Sequence, residues 1–202
     1  MSDTVIRHVV VPGTFDPVTL GHLDVIARTR RMFSQVTIGV AASLAKNGSG
    51  PHFSLEERTQ MLRESIVELK IDKGVEIRPF SGLLMDLCRT IGADGVVKGL
   101  RAMTDFEYEL QQADLNYRLA PEVESIFVMG SPRHGYISSS IVRELALMGV
   151  FRQSEQITFS FRSLNSDNIG IGLFAEQFAL AYCFDRSYEL SGAAGGFIKR
   201  SF

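Results

Sequence analysis

Residues 12–22 read Pro-Gly-Thr-Phe-Asp-Pro-Val-Thr-Leu-Gly-His. Upstream, Val5 to Val11 is rich in valine and is broken by Pro12-Gly13, the pattern of a buried strand. Downstream, Leu20, Leu23, Ile26 and Ala27 recur at helical spacing within a segment from about Thr19 to Phe33. The stretch is therefore a turn from a strand into a helix. Gly13 and Gly21 allow backbone and ligand to approach closely. Thr19 suits the N-cap, which places Gly21 and His22 in the first helical turn. A helix start offers free N–H groups and a positive dipole end, so it attracts phosphate. His22 would aim a donor at the same phosphate, and Thr14 supplies a hydroxyl at the mouth of the strand. A lone histidine is ordinarily a helix-surface residue. Here the Gly-His pair, the helix start and the position after the first strand agree on a functional role. Neither the Gly-Lys-Ser/Thr phosphate loop nor the dinucleotide Gly-x-Gly-x-x-Gly occurs here, and Asp16 and Pro17 read as turn-shaping.

Further along, the same alternation repeats. Strands are predicted at Val36–Ala42, Val75–Pro79, Gly95–Lys98 and Ser125–Met129. Between and after them run helices. One opens at the capping box Ser54-Leu55-Glu56-Glu57 and reaches about Leu69. Another covers Leu83–Ile91 and stops at Gly92. A third opens at a second box, Thr104-Asp105-Phe106-Glu107, and reaches about Leu119, and the last spans Ser138–Met148 before Gly149. Five short apolar strands, each followed by a helix, predict a Rossmann-like α/β fold: a five-stranded parallel sheet buried on both faces, with helices on both sides. In such sheets ligands sit beyond the carboxyl ends of the strands. That directs attention to loops 12–18, 43–53, 80–82, 99–103 and 130–137.

The chain has 202 residues, 21 Lys and Arg against 23 Asp and Glu, and a net charge of −2. This balance excludes a chain-wide basic footprint for nucleic acid but allows a local basic pocket. Two cysteines, Cys88 and Cys183, cannot make a disulfide framework or a four-ligand zinc site, and the four histidines show no metal-ligand spacing. Cys88 lies on an apolar helical face with Leu84 and Leu87 and reads as core. Met1–Thr4 lacks a signal-peptide core and no apolar run reaches ~18 residues, so no membrane partner and a cytoplasmic setting are expected. Composition shifts near residue 150. All six prolines precede it, and eight of the 14 phenylalanines follow it. Two parts are therefore expected: a domain over 1–149 and an atypical C-terminal segment over 150–202. Three readings of the segment stay open: an extension docking its phenylalanines, a disordered appendage, or the product of a shifted reading frame.

The Thr-x-Gly-His of Thr19–His22, set within Pro-Gly-Thr-Phe-Asp-Pro, resembles the nucleotidyltransferase superfamily marked by His-x-Gly-His or Thr-x-Gly-His. Lys98-Gly99-Leu100-Arg101, Asp105-Phe106-Glu107-Tyr108-Glu109 and Tyr136-Ile137-Ser138-Ser139-Ser140 narrow it. All four in this order resemble the bacterial phosphopantetheine adenylyltransferase family, over roughly residues 5–149. The resemblance implies adenylyl transfer from ATP to 4′-phosphopantetheine, giving dephospho-coenzyme A and pyrophosphate. It also implies magnesium as cofactor, a homohexamer, and coenzyme A as feedback ligand. After the last helix family members continue Gly-Gly-Asp-Val, whereas this chain reads Gly149-Val150-Phe151-Arg152 and then diverges.

The same resemblance implies residue roles. His22 stabilises the transition state at the α-phosphate. Thr14 and Phe15 hold ATP, and Thr14 also faces the phosphopantetheine phosphate. Lys46 binds the reacting phosphate. Lys98, where many members carry Arg, takes phosphopantetheine, and Leu84 touches the pantetheine arm. Gly99, Leu100 and Arg101 contact the nucleotide, with Arg101 on its phosphates, and Glu109 matches another ATP position. His134, Gly135, Tyr136, Ile137, Ser138, Ser139 and Ser140 form a phosphate-binding approach to the last helix. Plainer readings stand beside these: Lys46 as a solvated loop lysine, Leu84 as core, Glu109 as helix surface, and the serines as N-caps. The nucleophile is already an anion at neutral pH, so the reaction needs aligned cations and donors rather than a triad. Two other functions were compatible with the sequence: transfer to another phosphate, such as nicotinamide or nicotinate mononucleotide, and a non-catalytic nucleotide-binding scaffold.

Overall fold

A computed structural model of the chain describes residues 6–42, 50–101, 103–135 and 137–147, with the side chains of residues 103–105 and 145–147 left aside. Strands and helices alternate. They are β1 (His8–Gly13), α1 (Leu20–Met32), β2 (Gln35–Ala41), α2 (Leu55–Glu68), β3 (Val75–Phe80), α3 (Leu84–Ile91), β4 (Gly95–Leu100), α4 (Met103–Leu119), β5 (Glu124–Met129) and α5 (Ser139–Leu147). A short 3-10 turn at Pro132–His134 precedes α5. The chain divides into two units between Ile137 and Ser138, so α5 belongs to the second and everything before it to the first. The boundary expected at 149/150 lies outside the described residues.

The five strands form one parallel sheet in the order β3-β2-β1-β4-β5. The order reverses between β1 and β4, so the loops after those two strands flank the switch point. The central strands are buried as predicted, His8–Val11 of β1 and Val36–Val40 of β2, with the two polar members His8 and Thr37 hydrogen-bonded to each other at 2.8 Å. Expected burial on both faces fails for β3 and β5, whose residues are half-buried or exposed. Both are edge strands, covered on one side only by a neighbour. A core cluster of Val10, Met85, Cys88, Ala93, Val96, Ala120 and Val123 links the sheet to α3. Burial pushes the Cys88 thiol up to about 11, as suits an inert core group.

Local signals account for several element ends. Ser54 and Glu57 form the predicted capping box, the Ser54 hydroxyl accepting from the Glu57 N–H at 3.2 Å and the Glu57 carboxylate from the Ser54 N–H at 2.9 Å. Gly92 ends α3 in the left-handed conformation, φ 64°. The second box is corrected: α4 starts at Met103, so Thr104 lies inside the first turn, not at the N-cap. A Thr-x-x-Glu spacing also fits one face of a helix interior, which is why the sequence misleads there. No described helix is long and apolar enough to cross a membrane.

Candidate active site

The site grows from the turn between β1 and α1. Phe15 turns the chain with a positive φ of 50°, and its side chain is buried. Its ring lies against Gly13, where an added Cβ would stand 2.9 Å from the ring's Cζ, so a larger residue at 13 would force the ring to shift. Asp16, also buried, accepts from the N–H groups of His52 and Phe53, both at 2.9 Å. The turn-shaping role read for Asp16 is the one its carboxylate performs.

Behind the turn sits a residue the sequence reading missed. Arg58 of α2 is buried. Its guanidinium donates to the carbonyls of Thr14 (2.6 Å), Ala41 (2.9 Å) and Phe53 (3.0 Å). One planar cation thus ties the end of β2, the loop after β1 and the entry to α2. Burial lowers its pKa and the nearby Asp16 carboxylate counteracts this. The signal was hidden because an Arg following Glu56-Glu57 reads as helix surface.

Thr19 is the N-cap of α1, as predicted, and His22 takes the place that Glu or Gln holds in a capping box. His22 Nδ1 accepts from the Thr19 N–H at 3.1 Å and lies 3.1 Å from the Thr19 hydroxyl. Its ring packs edge-on to Phe15, with centroids 5.1 Å apart. Burial, and secondarily the positive charge of Arg101, push the His22 pKa down to about 4. The ring is neutral at physiological pH. Gly21, beside it, faces the backbone carbonyls of His134 and Ile137. A Cβ there would meet them at 3.6 Å and 3.9 Å, ordinary contacts that the protein could accommodate.

The end of β4 supplies the cations. Lys98 Nζ pairs with Glu109 of α4 at 3.1 Å, both half-buried. Arg101 donates to the Ile137 carbonyl at 3.4 Å and is the charged group that acts on His22. Leu100 is buried and its carbonyl accepts from the Gly130 N–H at 2.8 Å. Gly99 has a packing reason of its own: an added Cβ would stand 2.6 Å from Val25 of α1. Leu84 is half-buried and packs on the core cluster, in keeping with its plainer reading.

The loop after β5 is tied to α1 by a second residue the reading passed over. Asp24 accepts from the Ser131 N–H at 2.8 Å and from Arg28 at 2.9 Å. Within this loop His134 Nδ1 is buried and has no hydrogen-bond partner among the described residues, while Gly135 is helical in backbone and Ile137 is buried. In the second unit, the Ser138 hydroxyl accepts from the Ile141 N–H at 3.2 Å, as an N-cap does, and Ser140 accepts from Arg143 at 3.3 Å. Ser139 opens α5. Lys46 and Tyr136 lie outside the described residues.

The first unit thus brings together Thr14, Phe15, His22 and Arg101 at the switch point, with the Lys98–Glu109 pair at the end of β4. Such an arrangement can hold anionic groups against neutral and cationic donors.

Residues 10–145 match the cytidylyltransferase-like family. The phosphopantetheine adenylyltransferase of Caulobacter vibrioides is 47% identical over 138 residues, covering 68% of this chain and 83% of that one. Its counterpart from Hahella chejuensis is 48% identical over 141 residues, covering 70% and 84%. That of Rhodospirillum rubrum is 46% identical over 144 residues, covering 71% and 82%. Among solved structures, a bifunctional NMN adenylyltransferase/ADP ribose pyrophosphatase from Francisella tularensis superposes with a TM-score of 0.56 at 18% identity. It covers 97% of this chain and 59% of that one, a likeness of fold alone.

Proposed function

The chain belongs to the phosphopantetheine adenylyltransferases, within the cytidylyltransferase-like family, and from that premise we propose how its residues carry adenylyl transfer from ATP to 4′-phosphopantetheine. The products are dephospho-coenzyme A and pyrophosphate, a step of coenzyme A biosynthesis. A phosphate oxygen of phosphopantetheine attacks the α-phosphorus in line. The new P–O bond forms as the bond to the bridging oxygen of pyrophosphate breaks, and no covalent enzyme intermediate arises. The observation that carries the reading is a neutral His22 at the start of α1, its Nδ1 already occupied and Arg101 beside it. A neutral N–H donor can stabilise charge growing on the α-phosphate without taking the nucleophile's place as an anion.

Thr14, Phe15, Gly99, Leu100, Arg101 and Glu109, with residues 134–140, serve ATP in this proposal. Thr14, Lys46, Leu84 and Lys98 serve phosphopantetheine. Leu100, whose side chain is buried, acts through its backbone. The room beside Gly21 supports this use, because the packing of the protein does not itself demand a glycine there. Among the described residues no group of three His, Cys, Asp or Glu could hold a metal ion. The charged group that acts on His22 is the Arg101 guanidinium, so magnesium would enter here as a companion of the ATP phosphates, held by them and by water. Exposed Tyr108, Leu115 and Leu119, on one stripe of α4, support self-assembly, and we propose a homohexamer. A cytoplasmic setting, feedback by coenzyme A, and residues 150–202 as an appended segment complete the proposal.

The test is pyrophosphate release by the full-length chain with ATP, magnesium and 4′-phosphopantetheine. Release that depends on phosphopantetheine and falls ~10²–10³-fold in His22→Ala is expected. No release from a folded wild-type chain, or release unaffected by His22→Ala, would overturn it.

A further inference from the structure

We propose that Thr19 is a positioning residue for this reaction: it holds His22 in the tautomer that carries its proton on Nε2. The inference rests on the reading of His22 as a donor to the α-phosphate, and it goes beyond that reading by naming what fixes the donor.

Geometry at Nδ1 leaves little choice. The Thr19 backbone N–H lies 3.1 Å from this nitrogen and can only donate. Nδ1 must therefore present its lone pair. In a neutral imidazole the proton then resides on Nε2. The Thr19 hydroxyl lies 3.1 Å from the same nitrogen, and facing a lone pair it too donates. Two donors from one residue converge on one ring atom. Both the Nδ1–H tautomer and the imidazolium would set an N–H against the backbone N–H. Arg101 opposes the imidazolium further by like charge. No hydrogen bond engages Nε2 among the described residues, so its N–H is left for a ligand.

The helix itself does not require histidine at this place. A Glu or Gln three residues after the N-cap closes a capping box equally well. With histidine there, one hydrogen bond both caps α1 and sets the ring's tautomer and orientation. The same bond removes Nδ1 from proton-transfer chemistry, leaving His22 as a donor and not a general base.

The experiment uses full-length chain with 15N-labelled histidine, read by two-bond 1H–15N correlation at pH 7, together with steady-state kinetics. In the wild type, His22 is expected to show a protonated Nε2 and an unprotonated, hydrogen-bonded Nδ1. Thr19→Val, which keeps the shape and the backbone N–H but loses the hydroxyl, is expected to lower kcat about tenfold with KM for ATP within about twofold. Its His22 should keep the Nε2–H tautomer, which the backbone N–H alone still enforces, but its Nδ1 resonance should shift as that nitrogen accepts one bond instead of two. Thr19→Ser should restore both the rate and the pattern. An Nδ1–H or imidazolium pattern in the wild type overturns the proposal, as does a folded Thr19→Val with unchanged kcat and unchanged pattern. Should Thr19→Val fail to fold, the wild-type spectrum alone decides. Absence of turnover in a wild type that shows the Nε2–H pattern would sink the reaction and leave the tautomer assignment standing, so the two failures are separable.

Discussion

Arg58 donates to the carbonyl oxygen of Thr14 at 2.6 Å, across 44 residues of chain. The same guanidinium holds Ala41 and Phe53, so three backbone segments share one buried cation. Arg58→Lys keeps the charge but not the fork, and it leaves at least one buried carbonyl without a donor. We expect a loss of about 2–3 kcal/mol in stability, measured by urea unfolding. A loss within experimental error would show that the three bonds are dispensable.

Stability should fall in acid through His22. Its folded pKa of about 4 lies below the ordinary 6.5, so between these values the unfolded chain holds the extra proton. The contribution is complete above 6.5 and is lost as pH descends toward 4. At pH 5 the wild type should have lost about 2 kcal/mol relative to pH 7. His22→Gln should lack that share of the loss, and urea unfolding of both proteins at the two pH values checks it. Equal losses in wild type and variant would contradict the lowered pKa.

Lys98 and Glu109 pair at 3.1 Å at the end of β4. Lys98→Gln should raise KM for phosphopantetheine about tenfold or more, since a charge-assisted bond to phosphate is lost. KM for ATP should move less. Titration calorimetry with each substrate separates the two effects, and an equal weakening of both would place Lys98 outside the phosphopantetheine subsite.

Gly92 isolates the backbone from packing. Its φ is 64° and nothing stands within 4 Å of an added Cβ. Gly92→Ala should therefore cost about 1–2 kcal/mol through conformation alone. Thermal unfolding would register this, and an unchanged midpoint would mean that α3 can end another way.

Period and punctuation made the strand–helix alternation readable, because burial and caps act over a few residues. The turn before α1, the Ser54 box and the Gly92 stop are all of this local kind. What the reading missed depends on distance in the chain. Arg58 finds its carbonyls 5, 17 and 44 residues away, and no spacing rule reports that. Asp24 reaches Ser131 across 107 residues. The Thr19–His22 contact is local, yet histidine falls outside the Glu/Gln pattern by which capping boxes are found. Gly99 was read through a ligand, while the close approach of Val25 gives it a reason inside the protein.

That approach has an evolutionary consequence. A Cβ at position 99 would lie 2.6 Å from a Val25 methyl, so Gly99→Ala is barred while Val25 remains. A lineage could gain a side chain at 99 only after residue 25 had shrunk. The reverse order passes through an overpacked intermediate. Positions 25 and 99 should therefore covary across homologues, small at one permitting larger at the other, and the order of substitution should be legible in reconstructed ancestors.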